Sequence, residues 1–224
     1  MSHPRRVAII TDGNGRWASS KGLSVEQGHE AGADNVKARL RDAAEFDVEQ
    51  LTVFSFSTEN WSRPPAEVET LMAMFRRRIA EETPELDAEG VRMRFVGRRA
   101  GLDGDLVERM DWAERETADN DRITLFVAFN YGGRSELVDA AERYEGGGEE
   151  AFARCLYDPE LESPDLLIRT SGEHRLSNFL LWQCAYSEMV FRDELWPDFS
   201  REAFLECLDE YGERSRRFGG RETP

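Results

Sequence analysis

The residues Asp12-Gly13-Asn14-Gly15-Arg16-Trp17 follow directly on the apolar run Val7-Ala8-Ile9-Ile10. This is the pattern of a buried strand that ends in a carboxylate and then breaks into a glycine-bracketed turn carrying an arginine. Such a turn exposes several backbone N–H groups at once, and the guanidinium adds a fork of charged donors matched to phosphate oxygens. Asp12 has the chemistry to hold magnesium against the same phosphates. Asp-Gly and Asn-Gly are also ordinary turn dipeptides, so the weight of this segment rests on three others: Ser57-Thr58-Glu59-Asn60-Trp61-Ser62-Arg63-Pro64-Pro65, Asn130-Tyr131-Gly132-Gly133-Arg134, and Arg169-Thr170-Ser171-Gly172-Glu173-His174-Arg175-Leu176-Ser177-Asn178. Each carries an arginine among small and hydrogen-bonding residues. Brought to one edge of a fold, they make a polyanion site for one diphosphate or two.

The elements between them predict how they are brought together. Short apolar runs at Val7–Thr11, Leu51–Phe56, Val91–Val96, Ile123–Phe129 and Leu166–Arg169, with a sixth near Met189–Phe191, read as strands. Helical periodicity fills the intervals: His29–Phe46, the face Val68, Leu71, Met72, Phe75 and Ile79, the face Leu106, Val107, Met110 and Ala113, then Leu137–Tyr144 and Arg201–Arg217. Alternation of this kind predicts an α/β fold: a single domain over residues 1–224, with a central, mostly parallel sheet of about six strands flanked by helices. Ligands then bind beyond the carboxyl ends of the strands, where all four polar segments fall. The glycine-rich stretch Glu145–Glu150 reads as a mobile surface loop, and the arginines that end the last helix as a cap or a phosphate contact in a partner subunit.

Composition narrows the function. The 224-residue chain carries a formal net charge of −16, which argues against general nucleic-acid binding and against a polybasic anchor. Only Lys21 and Lys37 are lysines, so arginines gathered in particular loops stand out as anion binders. An acidic, lysine-poor surface fits a halophile, and a GC-rich genome gives a similar bias. No apolar run approaches the ~20 residues that cross a bilayer. The three scattered cysteines form neither a disulfide framework nor a metal pattern, as in a reducing cytoplasm.

From Val7 to Gly220 the sequence resembles the cis-prenyltransferases, the family of undecaprenyl diphosphate synthase. The resemblance rests on Asp12-Gly13-Asn14-Gly15-Arg16-Trp17, Phe56-Ser57-Thr58-Glu59-Asn60-Trp61, Asp165-Leu166-Leu167-Ile168-Arg169-Thr170-Ser171-Gly172-Glu173, Leu176-Ser177-Asn178-Phe179-Leu180-Leu181-Trp182-Gln183 and Leu195-Trp196-Pro197-Asp198-Phe199. It implies a cytoplasmic homodimer that extends an allylic diphosphate (farnesyl or geranylgeranyl) with isopentenyl diphosphate, with Mg2+ as cofactor. Apolar helices would wall a hydrophobic tunnel for the growing cis chain, and the product would leave through transient membrane-surface contact. The Asp-Asp-x-x-Asp motif of trans-prenyltransferases is absent.

By the same resemblance, Asp12 is the catalytic carboxylate and magnesium ligand, with Glu188 a second acidic position for the metal. Gly13, Asn14, Gly15 and Arg16 cradle the allylic diphosphate and His29 contacts phosphate. Trp17 lines the site or belongs to the core. Asn60 is assigned to proton removal, but a neutral amide is a poor base, so orienting a water or a diphosphate oxygen suits it better. Ser57, Thr58, Glu59, Trp61 and Arg63 form a substrate-binding loop, which Trp61 and the paired prolines equally well stiffen. Arg169, Arg175, Leu176 and Ser177 match the isopentenyl diphosphate site. Asn130–Arg134 reads as a structural turn.

Two positions depart from the family. Val25 stands where an arginine four residues before the histidine usually helps bind the allylic diphosphate, and Thr11 where methionine is common. The leading expectation is a long-chain, undecaprenyl-type synthase. The alternatives are a short-chain cis-prenyl diphosphate synthase and a non-catalytic partner subunit, the latter opposed by the intact Asp12–Arg16 turn. A nucleotide phosphotransferase lacks its glycine fingerprint.

Overall fold

The computed structural model describes residues 3–214. In chain order the elements are β1 (Arg6–Ile10), α1 (Asn14–Ser20), α2 (Val25–Glu45), β2 (Gln50–Ser57), α3 (Pro65–Ala88), β3 (Val91–Val96), α4 (Gly104–Glu116), β4 (Ile123–Tyr131), α5 (Gly133–Arg143), α6 (Gly148–Ala153), β5 (Leu166–Arg169), β6 (Glu188–Phe191) and α7 (Arg201–Glu213). The strands form one six-stranded sheet in the order β3-β4-β2-β1-β5-β6, and every neighbouring pair is parallel. The expected α/β architecture is therefore the observed one.

Parallel strands are buried on both faces, which is why they read as nearly unbroken apolar runs. Val7 and Ile9 face one cluster, built with Leu40 of α2, Leu71 and Ile79 of α3, Met110 of α4 and Phe204 of α7. Ala8 and Ile10 face another, with Phe126, Leu167 and Phe179. From β1 the chain moves to β2, skips to the edge strand β3 and returns to β4 between them, then crosses to β5 and β6 on the other side of β1. That reversal opens a crevice beyond the carboxyl ends of β1, β2 and β5.

Helix starts follow local chemistry. Ser24 caps α2 in a reciprocal box with Gln27, and Pro65 opens α3 after Pro64. α2 starts four residues ahead of the expected His29, because the Ser24 cap lies upstream of the apolar stripe. α1 was not anticipated. The glycine-bracketed segment is a turn only at Gly13 (φ 114°), and from Asn14 it is helical. The stretch Glu145–Glu150 also differs from a plain loop, since α6 begins within it at Gly148. The expected helix end at Arg217 and its arginine cluster lie mostly outside the described residues, with Arg214 closing α7. Among the described residues, no helix is long and apolar enough to cross a membrane.

Candidate active site

Glycine positions seat the first loop. A Cβ on Gly28 would stand 2.4 Å from the Asn14 carbonyl oxygen, and one on Gly32 would stand 2.4 Å from Asn14 Oδ1. α1 can therefore lie directly on α2 only because both are glycine. A Cβ on Gly13 would meet Leu195 at 3.0 Å, and the residue carries a left-handed φ, so glycine is required there twice over. This close packing presents Asp12, Gly13, Asn14, Gly15 and Arg16 to a cleft of about 760 Å³ at the carboxyl edge of the sheet.

Asp12 is fixed from the β5 side. The Thr170 hydroxyl donates to the Asp12 carbonyl at 2.7 Å and accepts from the Asp12 N–H at 3.1 Å. Arg169 Nη2 donates to Asp12 Oδ2 at 2.9 Å, and Arg16 Nη2 lies 3.7 Å from Oδ1. Burial alone would raise the Asp12 pKa. Hydrogen bonding from Arg169 and the Ser171 side, with the charges of Arg169 and Arg16, outweighs it and holds the carboxyl below its ordinary value. Asp12 is thus a carboxylate at neutral pH, despite sitting among apolar strands.

The fully buried Arg169 also donates through Nη1 to Ser177 Oγ at 2.6 Å and to the Arg175 carbonyl. One guanidinium therefore spans the Asp12 turn and the loop after β5. Ser171, Ser177 and Asn178 all have left-handed backbones, at φ 81°, 47° and 64°. Strain of this kind gathers where surrounding bonds over-determine a loop.

The second loop closes the opposite wall. A register shift in β2 between Phe54 and Ser57 turns Ser55 into the cleft. Ser57 then caps a short 3-10 turn reciprocally with Asn60, whose Oδ1 accepts from the Ser57 N–H at 2.9 Å. The acceptor of Asn60 is therefore occupied, and its amide NH2 is the group left for a ligand. Arg63 Nη1 pairs with Glu67 at 3.1 Å, and both line the cleft with His29. Burial, with the Arg63 charge, brings His29 down to about 4 against the opposing charge of Glu67. At neutral pH it is an uncharged donor.

Behind the polar cleft lies an apolar cavity of about 110 Å³ between α2, α3 and the sheet, walled by Ala33, Val36, Met74, Phe75, Ile79, Phe95 and Val127. Thr11, Asn14, His29 and Ser55 line both spaces. A cleft lined by arginines and polar groups therefore adjoins a mainly hydrocarbon-lined one. The prenyltransferase family profile of undecaprenyl diphosphate synthase matches residues 10–219.

The chain belongs to the undecaprenyl diphosphate synthase family of cis-prenyltransferases.

It is 48% identical to the isoprenyl transferase of Thermotoga maritima over 98% of both chains. It is 48% identical to that of Caulobacter vibrioides over 96% of this chain and 87% of the relative. Among solved structures, lavandulyl diphosphate synthase from Lavandula x intermedia, in complex with dimethylallyl diphosphate, superposes with a TM-score of 0.92 at 33% identity, covering 97% and 98% of the two chains. A probable undecaprenyl diphosphate synthase from Campylobacter jejuni gives a TM-score of 0.84 at 29% identity, covering 98% of this chain and 100% of that one. The protein is a prenyl transferase.

As a member of this family it gathers Asp12, Gly13, Asn14, Gly15, Arg16, His29, Ser57, Glu59, Asn60, Arg63, Arg169 and Ser177 around one cleft. Five expected site residues are placed otherwise. Trp17 does not line the cleft, because its Nε1 donates to Asp198 at 2.7 Å and Lys21 sits over its ring at 4.3 Å. Trp61 stiffens its loop, stacking edge-on to Phe56 and donating to Asn130 Oδ1 at 2.8 Å. Leu176 packs against the second core cluster. The exposed Arg175 pairs with Glu173. Thr58 turns to Glu59 at 3.2 Å and lies against Gly132.

Glu188, expected as a second acidic position for the metal, lies away from Asp12 within this chain. Glu188 is registered with Leu166, and Leu166 with Val7, at the amino end of the sheet. Asp12 lies five residues further along β1, roughly 16 Å in the strand direction. Glu188 is held instead by Arg214 at 2.8 Å. Its place beside the strand candidate Met189–Phe191 gave no sign of which sheet edge it would occupy.

Sequence reasoning missed Thr170, Ser55 and Asn178. Thr170 and Asn178 lie inside a quoted motif, but no local signal marks a residue whose partners come from other strands. Thr11, a departure from the family, donates to the Phe54 carbonyl at 2.9 Å and so extends the β1–β2 pairing past the ladder.

Proposed function

We propose that the protein condenses isopentenyl diphosphate onto an allylic diphosphate, with magnesium as cofactor, and makes each new double bond cis. The observation carrying this reading is the ionised Asp12 between Arg169 and Arg16, at the point where the polar cleft opens into the apolar cavity.

The donor set fits magnesium. Among the described residues no three His, Cys, Asp or Glu side chains converge, so an all-protein cage is missing. Magnesium does not need one, because it keeps several waters and takes one or two carboxylates plus substrate phosphate oxygens. Asp12 would hold it, and the ion would offset charge on a departing diphosphate. The remaining roles belong to the chain. Arg169 keeps Asp12 ionised and oriented. The half-exposed Arg16 supplies a charged fork to phosphate. Neutral His29 donates one hydrogen bond without charge. Asn60 offers its NH2 to a diphosphate oxygen or a water that receives the proton lost from the isopentenyl unit. The apolar cavity keeps water from a carbocation-like centre.

The test is incubation with magnesium, labelled isopentenyl diphosphate and each allylic primer in turn, followed by sizing of the extracted products. Incorporation abolished by chelation and restored by magnesium is the expected result. No incorporation by folded protein would overturn the reading. For chain length we favour a long polycis product of the undecaprenyl type, made for glycosyl carrier lipids. The cavity volume of about 110 Å³ favours a second, shorter-product reading, since a long chain then requires α2 and α3 to separate. The ladder of products decides between them. A soluble cytoplasmic homodimer with transient membrane contact remains part of the proposal.

A further inference from the structure

Asn178 stands at the meeting point of three loops that belong to different strands. Its Nδ2 donates to Glu59 Oε1 at 2.8 Å, in the loop after β2. Its Oδ1 accepts from the Arg134 N–H at 2.8 Å, and its carbonyl from the Gly133 N–H at 2.7 Å, both at the start of α5. Its own loop is tied to the floor of the cleft through the neighbouring Ser177, which accepts from Arg169. The amide orientation is fixed by chemistry, because turning it over would set the carbonyl oxygen against a carboxylate and the NH2 against an N–H. Close approach is built into the third loop as well, where a Cβ on Gly132 would meet Thr58 Oγ1 at 2.5 Å and Asn178 Nδ2 at 2.9 Å.

Glu59 carries the connection onward. It accepts from the hydroxyls of Ser57 and Thr58, and the Ser57 N–H holds Asn60 Oδ1. These bonds keep Glu59 below its ordinary pKa although burial opposes them, so the carboxylate is charged when Asn178 binds it.

We propose that Asn178 is a positioning residue that latches the Ser57–Asn60 turn to the Arg169–Ser177 loop and so fixes Asn60 against the cleft. The catalytic part of this inference rests on the reading given under Proposed function. The latch itself does not, since it exists in the free protein.

Asn178→Asp tests it. Aspartate tolerates the left-handed backbone and retains an acceptor for Arg134, but sets a second carboxylate oxygen against Glu59. Adding Glu59→Gln restores the pair with its polarity reversed, while the glutamine carbonyl still accepts from Ser57 and Thr58. Hydrogen exchange of the free protein is the first readout. In N178D the amides of residues 58–63 should exchange roughly tenfold faster, the equivalent of one lost charge-assisted bond. Those of Gly133 and Arg134 should keep their wild-type rates. The N178D/E59Q pair should return the first group to normal. A general loss of stability would speed both groups together and overturn the proposal, as would unchanged exchange at 58–63 or no rescue. Glu59→Ala reads the same latch from its other end and serves if N178D does not fold. In turnover, kcat should fall about tenfold with a smaller change in the KM for isopentenyl diphosphate, and the double variant should recover. An inactive wild type would sink the functional reading alone and leave the exchange result to judge the latch.

Discussion

Arg169 on β5 donates to Asp12 beyond β1 at 2.9 Å, across 157 residues of sequence. The fully buried guanidinium thereby keeps a partly buried carboxylate ionised, and its other nitrogen holds Ser177 at 2.6 Å. One side chain sets both the charge of the proposed metal ligand and the position of the loop after β5.

Breaking that relationship should be costly at either end. Asp12→Asn is expected to lower kcat by at least about 10²-fold, since the charge opposing the departing diphosphate is lost. Arg169→Lys keeps one charge but cannot span Asp12, Ser177 and the Arg175 carbonyl together. We expect about 1.5–3 kcal/mol of lost transition-state binding, read from kcat/KM at saturating magnesium. A lysine variant with wild-type kcat/KM would show that the fork is dispensable.

His29 gives a pH signature. Its folded pKa, about 4, lies below the ordinary 6.5, so between those values the unfolded chain binds a proton that the folded protein refuses. Stability owed to neutral His29 is intact above pH 6.5 and is lost as pH falls toward 4. Urea unfolding at pH 7 and pH 5 should show the wild type losing about 1–2 kcal/mol more than His29→Gln. Equal losses in the two proteins would contradict a depressed pKa.

Val25 opens α2, is exposed, and lines the cleft with His29 and Arg63. Val25→Arg places a charged fork beside the proposed allylic diphosphate. The KM for the primer should fall about tenfold, in line with one charge-assisted contact. A cation at a helix N-terminus should cost a few tenths of a kcal/mol, visible as a small drop in Tm. An unchanged KM would mean that the departure from the family is already compensated.

Gly28→Ala drives a methyl group to 2.4 Å from the Asn14 carbonyl and 2.9 Å from the Ala18 Cβ. Neither neighbour is a flexible chain end, so α1 must lift from α2. The expected loss is about 1–3 kcal/mol of stability, measured by chemical denaturation. Turnover should fall with it, because the Asp12–Arg16 turn rides on α1.

Much of this protein is legible in its sequence because the relevant signals are local. Apolar runs of strand length alternating with helical stripes fix an α/β fold with parallel strands, and β3 and β5 fall where those runs begin and end. Parallel order alone sends the segments after β1, β2, β4 and β5 to one edge, so Asp12, Asn60 and Arg169 could be placed in one site before any coordinates. The same logic missed α1, since seven residues hold too little periodicity to announce a helix.

Tertiary structure decided whatever depends on strand order, register and side-chain direction. Only the β1–β5 pairing makes Arg169 the partner of Asp12, and only the β5–β6 register removes Glu188 to the opposite edge. Trp17, Arg175 and Leu176 share motifs with cleft residues yet leave the cleft for Asp198, Glu173 and the core. Asn178 owes its partners to two loops other than its own. Spacing along a chain specifies the element a residue rides on, whereas the groups it meets are set by long-range packing, which no local pattern encodes.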